Sequence, residues 1–242
     1  MKRIVVIGVM VLLGLAAGIG VRAADEGKKL VGYWKFNEGK GEEAKDSSDN
    51  GNDGTIVGEA VWVPGKIGSS LQFNGIDQYV KIPNSDSLNP TDQITISAWV
   101  KPTDFEGMHC EILRQDSSAK RKLFCFQYKG TRLTLGLNTG GLYWETGFPV
   151  DPKYFTDGKW HLVTYTYDGS EVKLYVDGKL NNSLKRSGQI AEESVDLFIA
   201  CWSGVNEFFK GGIDEVAIYN YALSYDEVKK LYDAPITPQK NK

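Results

Sequence analysis

Short apolar stretches alternate with glycine-rich and polar turns along almost the whole chain, and extended helical periodicity is nearly absent. In "ITISAWVKP", Ile94, Ile96, Ala98 and Val100 alternate with Thr95, Ser97 and Trp99, the two-residue period of a strand. "LVGYWKF", "SLQF", "QYVKIP", "DLFIACW" and "FFKGGIDEVAIYN" read as further strands. "EILRQ" and "LFCFQY" predict a hairpin around Ser117-Ser118, and "RLTLGLN" meets "GLYWETG" across "TGG". The clearest geometry lies in "GKWHLVTYTYDGSEVKLYVDGKLNNSL", where Asp168-Gly169 and Asp177-Gly178 separate three strands. Asp177-Gly178 is a two-residue turn that tolerates the positive φ values of type I′, so the three strands in succession run antiparallel. Many short strands, with a turn every ~8–12 residues, predict two antiparallel sheets packed face to face. One short C-terminal helix is predicted, with Ser224 as N-cap, Glu227 closing a capping box, and Val228, Leu231 and Tyr232 as its apolar stripe.

The two ends break this pattern. Lys2 and Arg3 precede an uncharged, mostly apolar run from Ile4 to Val21, and Val21-Arg22-Ala23 supplies a small-residue exit. That order predicts a signal peptide over residues 1–23; an uncleaved anchor is the rival reading, since the run approaches the ~20 residues that span a bilayer. Residues 30–232 form one predicted domain, and residues 233–242 a polar, proline-containing tail. Six Trp, twelve Tyr and ten Phe provide bulk for a sizeable core. A net charge of −3 offers no basic field for a polyanion, which argues against nucleic acid.

Three cysteines, Cys110, Cys125 and Cys201, allow at most one disulfide. Cys110 and Cys125 flank the predicted hairpin and are the candidate pair; three small buried hydrophobes is the other reading. The loop 46–53 is rich in Asp and Asn, but its register is not that of an EF-hand, and an ordinary turn is favoured. Nucleophile-elbow and phosphate-loop motifs are missing. His109 and His161 lie far apart in sequence, and His161 reads as structural.

Asp214 and Glu215 stand together in "GGIDEV". Adjacent residues on a strand point to opposite faces, so this pair is not expected to act on one glycosidic bond. The parity of Ile213, Val216 and Ile218 is not strict, which indicates an irregularity near Asp214.

"LVGYWKFNEGKGEEAKDSSDNGNDGTIVG", "SLQFNGIDQYVKIPNSDSL", "ITISAWVKP", "DGKWHLVTYTYDGSEVKLYVDG" and "GGIDEVAIYNYALSYDEV" occur in the order seen in laminin G-like domains. The chain resembles the bacterial branch of these domains within the concanavalin A-like lectin/glucanase superfamily. The resemblance implies an all-β jelly-roll sandwich, found in secreted or surface proteins as a binding module, often with a structural calcium. Carried over by position, Asp77 and Asp214 would give carboxylate oxygens to that calcium, with carbonyls near Asn74 and Gly75; the alternative is a turn at Asp77 and a bulge at Asp214. The catalytic Glu-x-Asp-x-x-Glu strand of the laminarinase-type enzymes is not found, so no catalytic residues are assigned.

Trp34, Trp62, Trp99 and Trp160 fall inside the resembling motifs and are expected to fill or support the core. Trp144 and Trp202 fall outside them, near loops. With Tyr143, Asn206 and Glu207 they form the candidate ligand platform, core packing being the alternative. The expected function is a secreted (extracellular or periplasmic) non-catalytic module that binds a glycan. An adhesion domain binding a surface protein is the alternative, and a polysaccharide hydrolase the third reading.

Overall fold

The computed structural model describes residues 27–117, 121–192 and 194–234. The predicted signal peptide, Ser118 of the predicted hairpin turn and nearly all of the predicted tail lie outside them. In chain order the first strands are β1 (Leu30–Trp34), β2 (Glu43–Ala44), β3 (Gly54–Val57), β4 (Val61–Pro64), β5 (Ser69–Asn74) and β6 (Tyr79–Ile82). Then follow β7 (Ile94–Pro102), β8 (His109–Asp116), β9 (Arg121–Gln127), β10 (Arg132–Thr139) and β11 (Leu142–Pro149). After the short helix α1 (Pro152–Phe155) come β12 (His161–Tyr167), β13 (Glu171–Val176), β14 (Lys179–Lys185), β15 (Leu197–Ile199) and β16 (Lys210–Tyr219). Helix α2 (Tyr225–Asp233) ends the described chain.

The strands form two antiparallel sheets, as the alternation predicts. The first runs β14-β13-β12-β7-β16-β5-β4, with β1 also on β16; the second runs β11-β10-β9-β8-β15-β6-β3-β2. Between them lies one core, with Ile94, Ile96, Ala98 and Val100 from the first sheet and Phe124, Phe126, Leu133, Leu135 and Leu137 from the second. The turn chemistry is as read: Asp177 and Gly178 have φ of 48° and 72° between β13 and β14. Asp151 caps α1, whose Pro152 is suited to a first helical position; four residues are too few for an apolar stripe, and the sequence pattern predicts no helix here.

The outer faces of the two sheets differ. Helix α2 lies against the outside of the first, and its Ser224–Glu227 capping box forms as predicted. Val228 of α2 is buried with Tyr33, Tyr175, Ala217 and Tyr219 in a second apolar cluster. Tyr232 stacks on Trp99, ring centroids 5.5 Å apart. Trp34 fills the core and Trp62 packs against it, but Trp99 is buried outside the sandwich, under this helix. No described helix is long and apolar enough to cross a membrane.

Cys110 and Cys125 do not face each other. In the β8–β9 register Cys110 opposes Phe126 while Glu111 opposes Cys125, so the two thiols sit on opposite faces. All three cysteines are free and buried.

Candidate functional site

The pair Asp214–Glu215 corrects a sequence expectation. Along one edge of β16, residues 210–213 pair with β5 and residues 216–219 with β1. Where the partner changes, the β7 register slips and Glu215 takes φ of 52°. This bulge turns both carboxylates to the outer face, so they do not splay apart. Asp214 opposes Trp99, and its Oδ2 accepts from the Lys66 and Ile67 amides at 2.8 and 3.1 Å. Glu215 accepts from the Tyr33 hydroxyl and lines, with Trp99, a void of about 10 Å³ under α2. Burial pushes Asp214 up to about 7, with the neighbouring Glu215 adding to the rise against the Ile67 amide. The void holds at most one water, far too little for a glycan.

The residues expected to share a calcium do not converge. Asn74 pairs with Lys210, four residues from Asp214 along β16, roughly 13 Å at about 3.3 Å per residue. The Asn74–Asp77 segment is a self-contained turn: Asn74 Nδ2 donates to Asp77, and the Ile76 amide donates back to Asn74 Oδ1 at 2.8 Å. Asp214 already holds two amides instead. These residues therefore do not fit one calcium ion. Asp46 likewise knits its own loop, accepting from the Tyr33, Ser48 and Asn52 amides.

The aromatic platform divides. Tyr143 and Trp144 are consecutive on β11 and point to opposite faces. Trp144 packs on the core, 6.0 Å from Tyr167, and its Nε1 donates to Thr139 Oγ1 at 2.7 Å. Tyr143 lies on the outer face of the second sheet, donating to Glu145 Oε1 at 2.6 Å. It rests on Gly136, where a Cβ would come within 2.5 Å of its hydroxyl. Trp202 lies over Arg114, 4.3 Å from guanidinium to ring, and its amide bonds the carbonyl of exposed Asn206 at 2.9 Å. Tyr143 and Trp202 therefore border the second sheet's outer face, and Trp144 does not.

That outer face holds the polar groups the sequence reading missed. His109, Glu111, Arg114 and Asp116 come from β8, Cys125 and Gln127 from β9, and Glu145 from β11. Arg114 donates to Glu111 Oε1 at 2.6 Å, Glu207 Oε2 at 2.7 Å and Asp116 Oδ2 at 2.6 Å. Glu111 is fully buried, and its Oε2 has no hydrogen-bond partner among the described residues. Burial holds its carboxyl well above the usual range against the pull of Arg114, with nearby Glu207 adding to the rise. Gln127 Nε2 bonds Glu145 Oε2 at 2.8 Å. Burial would raise Glu145, but bonds from Gln127 and Tyr143 outweigh it and hold this carboxylate low. Beside them, Gln127, Tyr128, Arg132, Glu145 and Gly147 line an open depression of about 520 Å³, edged by the half-exposed Tyr128 ring.

One signal for this face was present in the sequence. In "HCEILRQD" the polar positions 109 and 111 are followed by 114 and 116, a change of parity that requires an extra residue. The β8–β9 register does shift between Glu111 and Leu113. Glu207 carries a different signal, its place five residues after Trp202 in the candidate platform. It arrives from a loop with left-handed Ala200, Ser203 and Glu207, whose carbonyl takes the Glu111 amide at 3.0 Å.

A laminin G-type family model, described as the concanavalin A-like lectin/glucanases superfamily, matches residues 74–229, and the chain belongs to that superfamily. Among solved structures the chain is similar to domain 4 of AbnA, a GH43 extracellular arabinanase from Geobacillus stearothermophilus, in complex with arabinotriose. The TM-score is 0.68 at 22% identity, over 86% of this chain and 100% of that one. The botulinum neurotoxin serotype G binding domain gives 0.68 at 16% identity, over 84% of this chain and 50% of that one. A botulinum neurotoxin type C structure, described by cell entry dependent on two ganglioside molecules, gives 0.66 at 15%, over 85% and 51%. These likenesses establish a jelly-roll fold. An asparagine-rich protein of Margaritifera margaritifera is 41% identical over 61 residues, 25% of this chain and 8% of that relative's length.

Proposed function

We propose that the protein is a non-catalytic carbohydrate-binding module whose glycan lies on the outer face of the second sheet. The observation that carries this reading is the asymmetry of the two outer faces. One is closed by α2 over a void of about 10 Å³; the other holds an open depression of about 520 Å³ with fixed polar groups. Sugars present hydroxyls and apolar CH faces together, which calls for an aromatic surface beside planar hydrogen-bonding groups. Tyr128 supplies the ring, while Gln127, Arg132 and Glu145 supply donors and acceptors. Tyr143 and Trp202 extend the face. The arabinotriose complex of the AbnA domain supports a sugar as ligand in a domain of this shape.

Glu111 and Glu207 meet on this face, but Arg114 sits between them and Glu111 is fully buried. A glycosidic bond needs a carboxyl on each side of it, so this pair holds the surface together and does not cut. Calcium is no part of the proposal, because Asp77 and Asp214 do not share a site. Export belongs to it: cleavage after Ala23 would deliver the module among extracellular or periplasmic glycans, and mass spectrometry of the exported protein should find Ala24 first.

A glycan array with Tyr128→Ala and Glu145→Gln as controls tests the reading. Binding to a defined glycan class, weakened at least tenfold by either variant at unchanged melting temperature, is expected. A flat array, or binding only to surface proteins, would contradict it. Reducing ends released from a polysaccharide panel would restore the hydrolase reading.

A further inference from the structure

Three carboxyl groups, those of Glu111, Asp116 and Glu207, converge on the single guanidinium of Arg114. Glu111 gives Oε1 to Arg114 and leaves Oε2 buried with no donor among the described residues. Glu207 gives Oε2 to Arg114 and turns Oε1 to His109 Nδ1 at 3.1 Å. One potential ligand atom from each of His109, Glu111 and Glu207 lies within 4.8 Å of the other two. A buried carboxylate oxygen beside an imidazole and a second carboxylate is a donor set suited to a cation. We propose that His109, Glu111 and Glu207 bind a divalent first-row transition ion, of which zinc is the best match.

The donor set selects the metal. One imidazole nitrogen and two carboxylate oxygens suit zinc and its neighbours, whereas calcium takes six to eight oxygens. Tetrahedral ligands at about 2.0–2.2 Å stand roughly 3.4 Å apart, so the three atoms have to draw inward by about an ångström. His109 and Glu207 can do so, since their side chains are 31% and 23% exposed. Arg114 stays on Glu111 Oε1 and Glu207 Oε2, fixing the orientation of both ligating carboxylates. Nδ1 of His109 must be free of its proton, which stays on Nε2 of the neutral ring. Water fills the fourth position. His161, the other histidine in the sequence, is held by Asp157 and Asp177 and takes no part.

The test is calorimetry on the chelator-stripped full chain, titrated in parallel with zinc chloride and calcium chloride. One zinc per chain and a higher melting temperature are expected, with no saturable calcium binding. His109→Ala and Glu207→Gln should each lower zinc affinity at least tenfold, and the metal-free His109→Ala protein should melt as before. Asp77→Asn should change nothing. Cobalt provides a spectroscopic readout: a visible tetrahedral band in the parent chain, lost in His109→Ala. Should Glu207→Gln not fold, His109→Ala decides alone. Absence of saturable zinc binding, zinc binding that survives both substitutions, or calcium binding at the same residues would overturn the site. No glycan enters the assay, so its outcome is independent of the proposed function.

Discussion

Arg114 answers three carboxylates and also lies against the Trp202 ring, 5% exposed at its side chain. Removing one member of a buried charge cluster strands the others, at a cost of roughly 3–5 kcal/mol. Arg114→Met should therefore lower stability by about that much in urea unfolding; a loss under 1 kcal/mol would show that the carboxylates are accommodated without it. Gly136 acts by absence. A Cβ there would meet the Tyr143 hydroxyl at 2.5 Å and Leu123 at 2.8 Å. Gly136→Ala should displace Tyr143 from Glu145 and weaken glycan binding more than it lowers the melting temperature. At this scale little of the site was legible beforehand. Tyr143 and Trp202 stand out as loop-end aromatics, but Glu111 and Glu207 are 96 positions apart in sequence. Only the long return from β8 through β15 to β16 brings them together.

Elements were far more legible, because strand alternation and Asp-Gly turns are local. The β7 pattern places its apolar face correctly, and Ser224 with Glu227 caps α2 as read. Ser224→Ala should cost about 1 kcal/mol, the usual worth of an N-cap, and loosen Tyr232 from Trp99. The bulge in β16 was legible as a break in parity, yet its consequence was not: an extended backbone sends Asp214 and Glu215 apart, while positive φ at Glu215 keeps them on one face. The β12–β13 hairpin carries a pH dependence. Burial alone would lower His161, but hydrogen bonds to Asp177 and Asp157 outweigh it and raise its pKa. Asp177 is correspondingly held low: the bond from His161 leads several that overcome its burial. A raised histidine contributes its full stability below the unfolded value of about 6.5 and loses it as pH rises through the folded value. The stability difference between the parent chain and His161→Gln should therefore shrink from pH 6 to pH 9, measured by denaturant midpoints. A constant difference would mean that the ring does not change its charge over this range.

For the molecule as a whole, the sandwich follows from pattern alone, while the identity of its working face depends on tertiary packing. Helix α2 closes the outside of the first sheet because Val228, Leu231 and Tyr232 need apolar ground, and Tyr33, Trp99 and Tyr219 supply it. With that side covered, the second sheet presents the open surface, with Glu145 and Gln127 bonded to each other and Tyr128 at the rim. The direct test of this assignment is amide chemical-shift mapping of the labelled protein, titrated with glycans identified on the array or, failing any, with arabino-oligosaccharides. Saturable shifts confined to β8–β11 and the loop around Trp202, abolished by Tyr128→Ala, are predicted. Shifts centred on α2 and Trp99, or none with any glycan, would contradict it.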